Sequence, residues 1–178
     1  MAELQRTYRT IPIALALALT IFAGSAFAQT KDKDAPAQTP YQVRVIVTPL
    51  GTGFQSSNLE IPTGKRFVIK NVSVITRSPE GMRMEVNFYT YFDHNGDNVG
   101  DLSDLTFHRI ALLDQGAIDT TQIAVANHEV MVFADEMIGT AKYGVVAQAR
   151  LNAMPPANAF AQAQFTFSGY LEDLAAPK

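Results

Sequence analysis

The strongest constraint on the fold is the alternation of apolar and polar residues that runs through most of the chain after Tyr41. Such a period of two is typical of a half-buried β-strand. Glycine, proline and asparagine separate the alternating segments, whereas the 3.6-residue period of an amphipathic helix is weak throughout. The pattern predicts strands at residues 42–48, 67–75, 83–92, 105–113, 121–126, 129–134, 143–151 and 160–171.

These segments amount to seven or eight strands, depending on whether residues 121–134 form one bulged strand or two. Their spacing is typical of all-β sandwiches and barrels. The helices between strands that a doubly wound α/β fold needs are missing from the pattern. The sequence therefore predicts an all-β fold, an antiparallel β-sandwich that is jelly-roll-like. The shared face of Ala161, Ala163, Phe165 and Phe167 is then either core or an interface.

The first 28 residues have the organisation of a secretory signal peptide. Arg6 and Arg9 form a positive segment, residues 11–22 are apolar, and residues 26–28 read Ala-Phe-Ala, the small-x-small pattern of a cleavage site. The apolar run is too short to cross a bilayer, and no later stretch is long and apolar enough to do so as a helix. We expect cleavage after Ala28, export to the periplasm or the extracellular space, and no stable membrane span afterwards.

Composition limits what the exported part can be. Residues 29–40 are polar with two prolines, which predicts a flexible leader before a single domain at residues 41–178. Charged residues make up 17% of the chain and its net charge is −3, which argues against nucleic-acid binding. Because the chain has no cysteine, disulfide frameworks, thiol nucleophiles and zinc–thiolate sites are excluded.

Two segments are similar to parts of known proteins. Residues 61–73 read IPTGKRFVIKNVS, and residues 167–173 read FSGYLED. They resemble the IPxGKRxVIxxVS segment and the closing SGYLxD strand of small secreted bacterial β-sandwich proteins of unknown function. The resemblance implies an exported β-sandwich and no particular activity. Both segments also have structural explanations: residues 62–64 form a turn before a strand, and Gly169 indicates a bulge or a close backbone approach.

Residues 93–104 carry oxygen ligands at the spacing of a calcium loop. Aspartates occupy positions 1, 5, 9 and 12 of this segment and asparagine occupies position 3, which resembles the calcium loop of dockerin and EF-hand modules. The resemblance implies a Ca²⁺ site formed by Asp93, Asn95, Asp97, Val99 through its carbonyl, Asp101 through water, and Asp104. The flanking segments are predicted strands, where that family has at least one helix. The alternative is a polar loop whose Asp, Asn and Gly residues serve a turn.

The polar face of the strand at residues 83–92 leads into this segment. Asn87, Tyr89 and Tyr91 share that face. The chain has no tryptophan, the usual platform for a sugar. These three residues are therefore the candidates for a calcium-assisted patch that binds carbohydrate or another surface ligand. The alternative is ordinary cross-strand packing of tyrosines on a half-exposed sheet.

No catalytic motif is recognisable. A G-x-S-x-G elbow, an H-E-x-x-H helix and a phosphate loop are all missing from the sequence. His94, His108 and His128 lie in separate segments, and we expect them in surface or loop positions. Asp135 and Glu136 are adjacent, and adjacent residues of a strand point to opposite faces, so they do not form a catalytic carboxylate pair.

These observations favour an exported, non-enzymatic β-sandwich domain with a structural or interaction role in the bacterial envelope, where its partner is a protein or a glycan. A calcium-assisted module that binds carbohydrate or another surface ligand is the alternative. An unrecognised secreted hydrolase is the third possibility. The sequence leaves the ligand and the oligomeric state open.

Overall fold

The computed structural model describes residues 38–93, 105–135 and 142–174. The regular structure in these ranges is entirely β-strand, and no helix within them is long and apolar enough to cross a bilayer. The strands found there are β1 Thr39–Val47, β2 Gln55–Asn58, β3 Lys65–Pro79, β4 Met84–Asp93, β5 Thr106–Ile110, β6 Leu113–Ile118, β7 Thr121–Asp135, β8 Lys142–Leu151 and β9 Gln162–Asp173.

The strands form two antiparallel sheets. One sheet has the order β1-β9-β3-β7-β6, and the other has the order β2-β8-β4-β5. If β6 is set aside, each sheet has four strands, and their order, β1-β9-β3-β7 and β2-β8-β4-β5, is that of a jelly roll. β6 is an additional strand that forms a hairpin with β7 and extends the first sheet. The predicted antiparallel β-sandwich is therefore confirmed.

The strand boundaries differ from the prediction in two places, namely residues 105–116 and β2. The predicted strand at 105–113 is two strands, because the chain crosses from one sheet to the other between Ile110 and Leu113. Asp114–Gly116, expected to end a strand, is a bulge within β6. β2 was not predicted, whereas residues 121–134 form one strand, β7, which is one of the two predicted alternatives. The described ranges consequently hold nine strands rather than seven or eight.

The hydrophobic core lies between the two sheets. Phe67, Phe88, Phe165 and Phe167 are fully buried there. Phe88 of β4 and Phe167 of β9 meet edge to face across the sandwich, with ring centroids 5.7 Å apart. Aromatic side chains of this size dominate the burial energy of a small domain. The apolar face of β9 is therefore core rather than interface.

The two segments that carried the sequence resemblance are paired neighbours, β3 and β9. Phe67 lies opposite Leu171 and Ile69 lies opposite Gly169, and the register shifts at the next residue, Lys70. An ideal Cβ built at Gly169 would lie only 1.9 Å from the carbonyl oxygen of Val68. Both the bulge and the close backbone approach expected from Gly169 are confirmed, and they place the two segments at one point of the sheet.

Candidate functional site

The outer face of β4 brings together the three predicted ligand-binding residues. Asn87, Tyr89 and Tyr91 alternate along the strand with residues that face the core, and the two tyrosine rings lie 6.2 Å apart. Asn87 and Tyr91 are buried, and Tyr89 is partly buried. The ring of Tyr91 lies over β8, because an ideal Cβ at Gly144 would fall 2.0 Å from its Cζ atom. Only Tyr89 therefore presents an accessible part of its ring.

Burial also sets the electrostatics of this face. It raises the pKa of both Tyr89 and Tyr91. The charges of Asp93 and Tyr89 raise the pKa of Tyr91 further. Both hydroxyls are therefore neutral hydrogen-bonding groups at physiological pH. The Oδ1 atom of Asn87 is buried and has no hydrogen-bond partner among the described residues. A buried acceptor of this kind is stabilised by any donor that reaches it, whether from water or from a ligand.

The predicted calcium loop begins at the end of the same strand. Asp93 is the last residue of β4, lies opposite Lys142 of β8 in the ladder, and is fully buried. The other implied ligands lie outside the described residues: Asn95, Asp97, Val99, Asp101 and Asp104. Within the described ranges, no group of three or more His, Asp or Glu side chains is placed to hold a metal ion. The calcium site stays a prediction.

The expectation that the histidines occupy surface or loop positions is wrong for His108. Its ring stacks on Phe88, with centroids 4.4 Å apart and planes 4° from parallel. His108 faces inward because it lies opposite Phe88 in the β4–β5 ladder, and opposite residues of a ladder share a face. The expectation is wrong for His128 as well, because it lies within β7, opposite the buried Val72 and on the inner side of the strand. Burial lowers the pKa of His108, and the charge of His128 lowers it further. His94 lies outside the described residues.

Asp135 has a structural partner in the neighbouring strand. Arg66 Nε donates to Asp135 Oδ1 at 2.7 Å, and its Nη2 donates to Oδ2 at 2.8 Å. The same guanidinium lies 4.6 Å from the ring centroid of Phe133. The hydrogen bond to Asp135 is the main reason that the pKa of Arg66 is raised. This bidentate pair links β3 to β7, and Glu136 lies outside the described residues.

A cleft opens between the sheets at the end of β4 that is remote from Asp93. Its volume is about 370 Å³, within the range of roughly 300–1,000 Å³ typical of small-molecule sites. We call it the sandwich-end cleft and define it by six lining residues from five strands, namely Thr76, Ser78, Met84, Ile110, Asp114 and Gln122. The sequence did not reveal this cleft, because its lining depends on β6, a strand that the alternation pattern does not show.

The polar atoms of the sandwich-end cleft have defined hydrogen bonds. Thr76 Oγ1 donates to the carbonyl of Ala124 at 3.2 Å, and Ser78 Oγ donates to the carbonyl of Met82 at 3.0 Å. Asp114 Oδ1 accepts from the side-chain amide of Gln122 and, at 2.8 Å, from the backbone N–H of Gly116. Both hydroxyls have therefore used their single proton and retain acceptor lone pairs.

The outer face of the five-stranded sheet carries an exposed apolar row. In the ladder Ile46 lies opposite Gln164, Gln164 opposite Ile75, Ile75 opposite Val125, and Val125 opposite Leu113. Four of these five residues are apolar, and Gln164 separates Ile46 from the other three. We call the five residues the outer apolar row. Ile46 is 48% exposed and Leu113 is 67% exposed. The row crosses all five strands, a width of about 19 Å at the usual strand spacing.

Comparisons with known proteins add little to this geometry. No family model matches the chain, and no curated protein matches it in sequence. Among solved structures, a chain from desmodium yellow mottle tymovirus is similar with a TM-score of 0.25 and 10% sequence identity, over 79% of this chain and 93% of that chain. At this TM-score the likeness carries no argument about function.

Proposed function

We propose that this protein is an exported, non-enzymatic structural module of the bacterial envelope that assembles with a second copy of itself through strand β6. The observation that carries the proposal is the apolar surface that β6 and the outer apolar row present together. Ile118 lies on the same outer face of β6 as Leu113, and the two side chains are 65% and 67% exposed. Exposed apolar side chains grouped on one face in this way are typical of interaction sites.

The geometry of β6 favours a second copy as the partner. All six residues of β6 are exposed, and among the described residues the strand pairs only with β7. Its outer edge therefore offers backbone groups to another strand. In an antiparallel pair about a two-fold axis between Gln115 and Gly116, Leu113 of each copy meets Ile118 of the other. A two-fold interface requires such self-complementarity.

The charged side chains support a role without catalysis. Arg66 binds Asp135, Arg150 binds Glu85, and Lys65 binds Asp173, each across neighbouring strands. General acid–base catalysis requires a carboxylate or histidine that is directed at a substrate with a suitable pKa. Here carboxylates and cations engage one another on the sheet surface, which is the arrangement of structural ion pairs.

Sedimentation velocity of the purified protein over about a hundredfold range of concentration tests the proposal. We expect reversible dimers that disappear in the double variant Leu113→Gln/Ile118→Gln. The matched control is Met154→Gln, because Met154 is 73% exposed but lies outside the strands. A protein that stays monomeric throughout, or a double variant that still dimerises, would contradict assembly through β6.

A second candidate is the calcium-assisted module that binds carbohydrate or another surface ligand. The buried, unpartnered Oδ1 of Asn87 beneath the tyrosine face favours it, since a ligand hydroxyl would satisfy that acceptor. Gly144→Ala tests it, because the new Cβ would collide with the Tyr91 ring and displace it. Binding to a glycan array in the presence of calcium should then fall in this variant. Equal binding by both proteins, or none by either, would remove this candidate.

A further inference from the structure

We propose that the sandwich-end cleft binds a small amphipathic molecule with a primary ammonium headgroup, such as an alkylamine. The cleft borders β6 through Asp114, whereas the dimer is proposed to form through the outer face and outer edge of that strand, so the inference goes beyond the proposed function. It depends on three properties of the cleft: an apolar side, a set of hydrogen-bond acceptors, and a carboxylate at the rim.

The apolar side accounts for the body of the ligand. Met82, Met84, Ile110 and Leu112 all line the cleft. Ile110 belongs to the buried core, and Met84 and Leu112 pack against that core. Methionine side chains adapt to ligands of different shape, because they are unbranched and polarisable. Among the described residues that line the cleft there is no aromatic side chain, so this surface suits an aliphatic chain better than a sugar ring.

The polar side accounts for the headgroup. Thr76 and Ser78 are buried at 2% and 3% exposure, and their protons are committed to the carbonyls of Ala124 and Met82. Toward the cleft these hydroxyls act as acceptors. Asp114 adds a carboxylate whose Oδ1 holds two donors. Its Oδ2 makes no hydrogen bond to any described residue. An ammonium group, which has three donors and a positive charge, complements this set.

A carboxylate ligand is the opposite possibility, because Arg83 also lies at the rim. Arg83 and Asp114 are both exposed. Glu85, whose carboxylate binds Arg150, also lines the cleft, so its described lining holds two carboxylates and one cation. Inside the cleft, an anionic headgroup would meet Asp114 and two hydroxyls that have no free proton. Electrostatics therefore favour the cation, and the two headgroups give opposite results in a direct comparison.

Methyl NMR of the purified protein, labelled at the methionine ε-carbons, makes this comparison. The probes are n-hexylammonium, 1-hexanol and hexanoate, which share one chain length, each titrated to about 20 mM, above the millimolar affinity expected for ligands of this size. We expect n-hexylammonium to shift the methyls of Met82 and Met84 and to bind at least about tenfold more tightly than hexanoate. Met131 and Met154, both 73% exposed and not among the residues that line the cleft, are the internal controls.

Two matched variants separate the headgroup from the apolar chain. Asp114→Asn keeps an acceptor for Gly116 and removes the charge, so n-hexylammonium should bind at least about tenfold more weakly while 1-hexanol changes less than about twofold. Asp119→Asn makes the same change in the same hairpin outside the cleft, at a positive φ of 55° that asparagine tolerates, and should leave both affinities unchanged. Because Asp114 is exposed, the variant is expected to fold.

Three results would overturn the inference. The first is tighter binding of hexanoate than of n-hexylammonium. The second is an equal shift of the methyls of Met131 and Met154, which would indicate non-specific binding. The third is no shift at Met82 and Met84 with any of the three probes.

Discussion

Replacing Gly169 by alanine tests the close packing of β3 against β9 on which the fold depends. An ideal Cβ at this position lies 1.9 Å from the carbonyl oxygen of Val68 and 3.2 Å from the Cα of Ile69. The obstacle is the backbone of the neighbouring strand, which no side-chain rotation can move aside. The two strands must therefore separate by about 1 Å, which stretches ladder hydrogen bonds from about 2.9 Å to beyond the useful range.

We expect Gly169→Ala to lower the free energy of unfolding by about 3 kcal/mol. About two weakened ladder hydrogen bonds contribute about 1 kcal/mol each, and disturbed packing between Phe67 and Leu171 contributes about 1 kcal/mol more. Urea denaturation measures the loss as a fall in midpoint of roughly 1–2 M for a domain of this size. Gly53→Ala is the matched control, because nothing lies within 4 Å of an ideal Cβ there. Midpoints within about 0.3 M of one another in the two variants would refute the close approach.

Three further predictions concern pH, ion pairing and calcium. Because burial lowers the pKa of His108, its contribution to stability is complete above about pH 6.5 and is lost as the pH falls through the lower folded-state pKa. His108→Phe, which keeps an aromatic ring on Phe88, should therefore flatten the dependence of the urea midpoint on pH, and an unchanged slope would contradict this role. Arg66→Lys should cost about 1 kcal/mol in the same assay, since lysine cannot make both bonds to Asp135; equal midpoints would show that the bidentate geometry is unimportant. Millimolar Ca²⁺ should raise the melting temperature of the protein but not of Asp97→Ala if residues 93–104 bind calcium, whereas equal melts in Ca²⁺ and EDTA would exclude the site.

The sequence predicts those strands in which apolar and polar residues alternate within the strand itself. β4 and β9 are both visible in the sequence, because the apolar residues that face the core alternate along each strand. In β9 the alternation follows burial of one face, whereas in β4 Asn87 and Tyr91 on the other face are buried as well. β2 is different, because its four residues are Gln, Ser, Ser and Asn, and only pairing with residues 146–149 of β8 makes it a strand. β6 was missed because its Leu113 and Ile118 project outward, and the bulge at Asp114–Gly116 interrupts the period of two.

The candidate sites also depend on pairing between strands, which limits how far they can be predicted from the sequence. The common face of Asn87, Tyr89 and Tyr91 follows from strand geometry alone. The burial of Tyr91 does not, because it depends on the absence of a side chain at Gly144, a residue of another strand. Likewise, the inward position of His108 follows from its register with β4. Properties that depend on which strands become neighbours are not encoded in any single segment.

Cross-linking between copies tests assembly through β6 most directly. The chain has no native cysteine, so Gln115→Cys introduces a single thiol beside the proposed two-fold axis, where antiparallel pairing brings its two copies within about 6 Å. Gln55→Cys places the same substitution on β2, at an edge of the other sheet. With a short bismaleimide linker, we expect a covalent dimer from Gln115→Cys and almost none from Gln55→Cys. Equal yields from both variants, or no dimer from Gln115→Cys, would contradict assembly through β6.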